Sequence, residues 1–183
     1  MIALSLVYQA AHSDLIVEGV VKEKSAFITS ADNFIYTTYE IEITKIFKGQ
    51  PQKSSVYVVE SGGIVGNRAI QVMPSIELQV GESGTFFLEY FTLPATEDRA
   101  RFDEPIYRAY ASRQSIFSYD FYSNTVAGHF NQFGIDVWYD KVHEATGLMY
   151  TKVKELVYPD RSTARVVPTI SNMSPLSITA GTF

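Results

Sequence analysis

Residues 34–47 read FIYTTYEIEITKIF. Tyr39, Ile41 and Ile43 alternate with Glu40, Glu42 and Thr44, the two-residue period of a β-strand with one buried face. The segment before it has the same period. In residues 14–24 (DLIVEGVVKEK), Leu15, Val17, Gly19 and Val21 fall on one face, and Glu18, Lys22 and Lys24 on the other. Ser30-Ala31-Asp32-Asn33 supplies a turn between them, so the pair reads as one long hairpin. Gly19 inside the first strand marks a bulge or bend where another backbone comes close.

The rest of the chain continues in short strands. Lys48-Gly49-Gln50-Pro51 is a turn, and residues 56–60 (VYVVE) read as the third strand. Residues 61–67 (SGGIVGN) form a glycine-rich loop, and residues 69–73 a fourth strand stopped by Pro74. Residues 76–80 alternate up to Gly81-Glu82, and residues 85–91 (TFFLEYF) form a largely buried strand. The polar stretch 93–104 reads as a surface loop. Residues 107–111 and 115–119 read as a further hairpin around Ser112-Arg113-Gln114. A helix follows, because Ile135, Trp138, Tyr139, Val142 and Ala145 share a face at helical spacing. Asp136 is its expected N-cap and Gly147 its C-terminal stop. Residues 148–158 fit a helix through Met149, Val153, Leu156 and Val157, or a strand through Val153, Glu155 and Val157; the helix is preferred. At the start of the chain, residues 2–11 have the spacing of a short amphipathic helix packed on the domain. No Lys or Arg precedes them as in a signal peptide.

Six or seven strands joined mostly by short turns, with few helices, define a mainly β fold with minor α, an antiparallel barrel or sandwich. The long bent first hairpin favours a small OB-like barrel with one or two peripheral helices. The 183 residues suffice for a core that buries roughly 70% of the unfolded surface. A net charge of −5 argues against a sequence-independent nucleic-acid binder. The chain has no cysteine, which excludes a disulfide framework, a Cys-ligated metal and a thiol nucleophile. No apolar run approaches the ~20 residues of a membrane span.

The opening strand Ser13-Asp14-Leu15-Ile16-Val17-Glu18-Gly19-Val20-Val21 is similar to that of netrin-like (TIMP-type) OB-fold domains in bacterial extracellular proteins, roughly A/S-D-x-I-V-x-G-x-V. The resemblance continues in order through Tyr39-Glu40-Ile41-Glu42-Ile43, Phe47-Lys48-Gly49, Ser61-Gly62-Gly63, Val80-Gly81-Glu82 and Phe86-Phe87-Leu88, covering residues 13–91. It implies a netrin-like barrel over residues 1–160. Pro168-Thr169-Ile170-Ser171-Asn172-Met173-Ser174-Pro175 and Ala180-Gly181-Thr182 resemble the first strand of an IPT/TIG immunoglobulin-like module. That resemblance implies that residues 161–183 are a linker and the truncated start of such a module, in a longer exported bacterial protein. Animal netrin-like inhibitors present an N-terminal cysteine to a protease metal. This chain lacks one, so that mechanism does not carry over.

Residues suited to catalysis are sparse. His12, His129 and His143 fall in no H-x-H or H-x-x-x-H pattern and read as surface histidines. No G-x-S-x-G elbow occurs. Glu40 and Glu42 lie about 7 Å apart along one strand, a spacing compatible with acid–base work, yet they read as a solvent face, as does the pair Asp103 and Glu104. Residues 62–66 resemble a phosphate loop only superficially, since β-type residues follow where a helix is needed. They read as a turn requiring positive φ, and Gly62, Gly63, Gly66 and Asn67 form a candidate contact loop at a barrel mouth. Ten aromatic residues fall within the 33 residues 107–139. Tyr107, Tyr110, Phe117, Tyr119 and Tyr122 among them are a candidate binding surface; a packed junction between barrel and helix is the other reading. The sequence therefore points to a non-catalytic accessory or binding module, without cofactor, of a secreted or cell-surface multidomain bacterial protein. Its partner would be a protein or a polysaccharide. The alternatives are carbohydrate binding through the 107–139 aromatics and a regulatory domain of a secreted metalloprotease. Pairing of edge strands into a homodimer is a further expectation.

Overall fold

The alternating segments form a hairpin of Leu15–Ile28 (β1) and Ile35–Lys48 (β2). The computed structural model describes residues 2–157; the linker and the IPT/TIG resemblance at 161–183 lie outside the described residues. Ser55–Ser61 (β3) follows, then a small hairpin of Gly63–Val65 (β4) and Arg68–Ile70 (β5). Ser83–Phe91 (β6), Ile106–Ala109 (β7), Ile116–Asp120 (β8), Thr125–Ala127 (β9), Gln132–Gly134 (β10) and Thr151–Lys152 (β11) complete the strands. The helices are Leu6–His12 (α1), Thr96–Arg99 (α2) and Ile135–Thr146 (α3), with a 3₁₀ turn at Ser112–Ser115.

The fold is mainly β, and its pairings run β1–β2–β3–β7–β6 and back to β1. Every pairing in this ring is antiparallel except β3–β7, which is parallel and rests on two register pairs, so the barrel is only partly closed there. This is the strand order of an OB-type barrel. The ring is possible because β1 coils. Its register against β2 shifts at Ile16/Val17, Glu18/Gly19 and Val21/Glu23, which frees residues 15–20 to pair with β6 on the other edge. Gly19 sits at one shift as the sequence anticipates: a Cβ there would lie 2.5 Å from the Glu42 carbonyl oxygen.

Leu15, Val17, Tyr39, Ile41, Ile43, Val58, Phe86 and Leu88 fill the barrel. Ile76 and Leu78, from outside the strands, pack into the same core. In 76–80 Ile76 and Leu78 are buried in this core while Glu77 and Gln79 are exposed, but the segment forms no strand and Val80 is exposed. A second core lies outside the barrel wall, where Ile16, Phe47, Phe87, Phe117 and Val126 meet Ala10 of α1 and Ile135, Trp138 and Val142 of α3. A fully buried phenylalanine such as Phe87 contributes about 1.5–3 kcal/mol. Trp138 packs 4.2 Å from the Phe117 ring and donates its Nε1–H to Thr85 Oγ1 at 2.9 Å.

Several sequence expectations need correction. Residues 107–111 and 115–119 are not a hairpin: β7 and β8 lie end to end on one edge of β6, joined by the 3₁₀ turn. Residues 148–157 form no helix, and β11 pairs with β2 instead. Gly134, not Asp136, is the N-cap of α3, without a side-chain hydrogen bond; Asp136 lies in the first turn, where its charge suits the helix dipole. Gly147 does end the helix, in the left-handed region at φ 68°. Residues 93–104 are more than a surface loop. Leu93 is buried with Val59 and Ile106, and Asp98 Oδ2 accepts from Ser30 N–H and Oγ–H, tying this loop to the β1–β2 turn. Among the described residues no helix is long and apolar enough to cross a membrane.

Candidate functional site

Beyond residue 20, β1 pairs only with β2, whose other edge stays paired with β3 over Tyr36–Glu42, so this outer part of the hairpin forms a β1–β2 ribbon continuous with the ring. The β4–β5 hairpin folds back over this ribbon. The reversal needs positive φ at Gly62 (94°) and Gly63 (139°), which only glycine adopts readily. Thr37 Oγ1 donates to the Gly62 carbonyl at 2.8 Å and Gly62 N–H donates to the Ile35 carbonyl, so the hairpin root is fixed to β2. The candidate contact loop thus divides: Gly62 and Gly63 form a wall, while Gly66 and Asn67 are exposed at the hairpin tip.

Between this hairpin, the ribbon and residues 71–77 lies a cleft of about 590 Å³, a volume typical of ligand sites. Tyr39 forms the floor. It is only 2% exposed and donates its hydroxyl to the Ile76 carbonyl at 3.3 Å; burial pushes its phenol pKa up. Ile70, Val72 and Ile76 add apolar lining, and Ile64 on the rim is 71% exposed. Lys24 and Glu77 form an ion pair at 3.3 Å, with side chains 36% and 66% exposed, of a kind worth about 0–1 kcal/mol. Glu60, at the end of β3, stands in the wall. Burial pushes its carboxyl pKa up, against the Ser61 backbone N–H and the more distant Arg108 charge. Among the described residues Glu60 makes no ion pair.

A smaller hollow of about 340 Å³ lies on the outer face of the ribbon, lined by Glu23, Phe27, Glu40, Tyr57, Arg101 and Phe102. Here Glu23 and Glu40 are directly opposed across β1 and β2, and the Arg101 guanidinium lies 5.1 Å from the Phe27 ring centre.

The candidate aromatic surface is dispersed. Tyr107 and Phe117 are core residues, Tyr107 beneath Tyr90 and Phe117 against Trp138, so neither offers a face to a ligand. Tyr119 turns inward, while Tyr110 is half-buried in a stack with His12 and Tyr8. Tyr122 is exposed in the β8–β9 turn. Most of the cluster serves as the junction between barrel and α3.

The sequence pattern missed the centre of that junction. Glu18, placed by alternation on the polar face, is 0% exposed beneath α3. Its Oε1 accepts from Thr44 Oγ1 and Lys45 Nζ, both at 2.6 Å. Its Oε2 accepts from the hydroxyls of Tyr139 at 2.6 Å and Tyr119 at 3.0 Å. Burial, then the nearby Glu18 charge, raises the Tyr119 pKa well above that of an ordinary phenol, so it stays a donor. With its carboxylate saturated, Glu18 acts as a clamp rather than a ligand site. The helical spacing that put Tyr139 on the buried face was the one available signal.

Lysines meet Glu42 of the first carboxylate pair and both members of the second. Glu42 lies 2.5 Å from Lys154 and 3.5 Å from Lys22, with the Lys154 hydrogen bond foremost in holding its pKa below the usual range. Lys53 reaches both Asp103 (2.6 Å) and Glu104 (2.9 Å). His12, His129 and His143 are exposed, and among the described residues no three His, Asp or Glu side chains gather as a metal-binding set.

In comparisons with known proteins, the chain matches no family model, no curated protein and no solved structure.

Proposed function

We propose that this chain is a non-catalytic binding module that takes a segment of a protein partner into the cleft between the β4–β5 hairpin and the β1–β2 ribbon. The observation that carries this reading is the cleft itself: about 590 Å³, with a hydrogen-bonded floor and an exposed apolar rim at Ile64. Such a rim suits an apolar side chain of a peptide. Among the described residues Tyr39 is the single aromatic side chain in the lining, and its ring is covered, so a sugar would find no stacking face there. The netrin-like and IPT/TIG resemblances support placing the module in a secreted or cell-surface multidomain bacterial protein. They equally accommodate an accessory role beside a secreted metalloprotease.

A second reading is favoured by the outer hollow. Phe27, Tyr57 and Phe102 are partly exposed there, and their faces suit a carbohydrate better than the 107–139 aromatics do. Panning a displayed peptide library on the chain separates the two. Enriched peptides should lose binding to Ile64→Lys and keep it on Tyr57→Ala. Failure to enrich any peptide, or retention of binding by Ile64→Lys, refutes the cleft.

A further inference from the structure

Given that reading of the cleft, on which this inference rests, we infer that the partner presents a lysine or arginine side chain and that Glu60 selects it. The charges lining the cleft are Lys24, Glu60 and Glu77. Lys24 and Glu77 answer each other at the rim, 3.3 Å apart. Among the described residues Glu60 forms no ion pair and feels only the unbonded charge of Arg108, although it is the more buried carboxyl and the one whose charge is hardest to solvate. The nearest candidate partner, Arg108 of β7, is held at 2.7 Å by Glu89. An arriving ammonium or guanidinium completes this set of charges: it receives a charge-assisted hydrogen bond acceptor in a site already shielded from water.

The shape agrees with the charge. Ile70, Val72 and Ile76 line the same cleft as Glu60, and such apolar lining beside a carboxylate suits the methylene stem and charged head of a long basic side chain. An acidic side chain would meet an unneutralised Glu60, with Lys24 already engaged. A neutral sugar would leave the carboxylate uncompensated. The net charge of −5 also draws basic partners toward the chain at low salt.

The test uses three capped tripeptides, acetyl-Leu-Arg-Leu-amide, acetyl-Leu-Glu-Leu-amide and acetyl-Leu-norleucine-Leu-amide, titrated into the ¹⁵N-labelled chain to millimolar concentration at pH 7. Amide shifts at Thr37, Ser61, Gly62 and Gly63 report the cleft. The arginine peptide should bind about tenfold or more tightly than the other two, the scale of one charge-assisted hydrogen bond, and Glu60→Gln should abolish that preference. The wild-type ranking stands by itself if the variant folds poorly. Equal binding of all three peptides at the cleft, or a preference for arginine that survives Glu60→Gln, overturns the inference and leaves the cleft as a binding site. No cleft shift with any peptide removes the inference and the proposed function together.

Discussion

Replacing Lys45 with methionine tests whether the Glu18 cluster holds the barrel to α3. Lys45 and Glu18 are 2.6 Å apart, with side chains 12% and 0% exposed. Methionine keeps the stem's bulk but removes the ammonium, and leaves a carboxylate sealed beneath α3. Stripping one partner from a buried ion pair costs about 3–5 kcal/mol. The hydroxyls of Thr44, Tyr119 and Tyr139 still donate to Glu18, so the lower end of that range, about 3 kcal/mol, is expected. In a chain of this size each kcal/mol moves Tm by about 2–4 °C, so Lys45→Met should lower it by roughly 6–12 °C. Removing the stranded charge as well should return part of the loss. Urea unfolding of wild type, Lys45→Met, Glu18→Gln and the double variant at pH 7 measures this, with a coupling of about 1–3 kcal/mol expected. If Lys45→Met unfolds within about 0.5 kcal/mol of wild type, or the double variant equals the sum of the singles, the cluster is not a clamp.

The remaining predictions concern the coil of β1 and the charge in the cleft. Gly19→Ala would set a Cβ 2.5 Å from the Glu42 carbonyl oxygen and 2.6 Å from Ile41 Cγ2; since backbone cannot step aside, a loss near 3 kcal/mol is expected in denaturant unfolding. Gly66→Ala, where a Cβ meets nothing but φ is 59°, should cost only about 1–2 kcal/mol, and equal losses at the two sites would contradict the close-approach argument. Glu60→Gln should stabilise the fold at neutral pH. Burial raises the Glu60 carboxyl above its ordinary value of 4.5, so the native state binds the extra proton and wild-type stability falls as pH rises through the window just above that value. Arg108, itself paired with Glu89, and the Ser61 N–H oppose this shift without reversing it. The gain from Glu60→Gln should therefore be absent in acid and grow toward pH 7; a gain independent of pH in unfolding curves would show that the carboxylate's charge is not its source.

The hairpin, its glycine bend and the helix at 135–146 were legible because each rests on a local period or a local steric demand. Alternation tells which residues share a face, not how many faces are covered. β1 is buried on one side by the barrel core and, at Ile16 and Glu18, on the other by α1 and α3, so a residue that reads as solvent-facing lies under a helix more than a hundred positions away. Likewise, the apolar runs at 107–111 and 115–119 announce two strands but carry no record that both lie along one edge of β6.

The cleft shows the same division more sharply. Gly62 and Gly63 could be singled out because a chain reversal inside a glycine-rich run demands positive φ, and their angles meet that demand. Glu60 could not. At the end of the third strand it reads as an ordinary polar terminus, and the same strand on an open sheet would leave its carboxylate in water. Its chemistry changes through burial in the fold: residues 71–77 line the cleft beside Glu60, and Ile76 among them, with Leu78 just beyond, is anchored in the barrel core. The segment anchored by the barrel's hydrophobic core thus also lines the cleft around Glu60, which makes no ion pair among the described residues. Weakening that anchor, for instance by Leu78→Ala, which should cost about 2–5 kcal/mol in unfolding, should also let water reach Glu60 and return its pKa toward the ordinary carboxylate value, as read by carboxyl ¹³C shifts against pH. If Glu60 titrates identically in Leu78→Ala and wild type, packing of the barrel core and the chemistry of the cleft are independent.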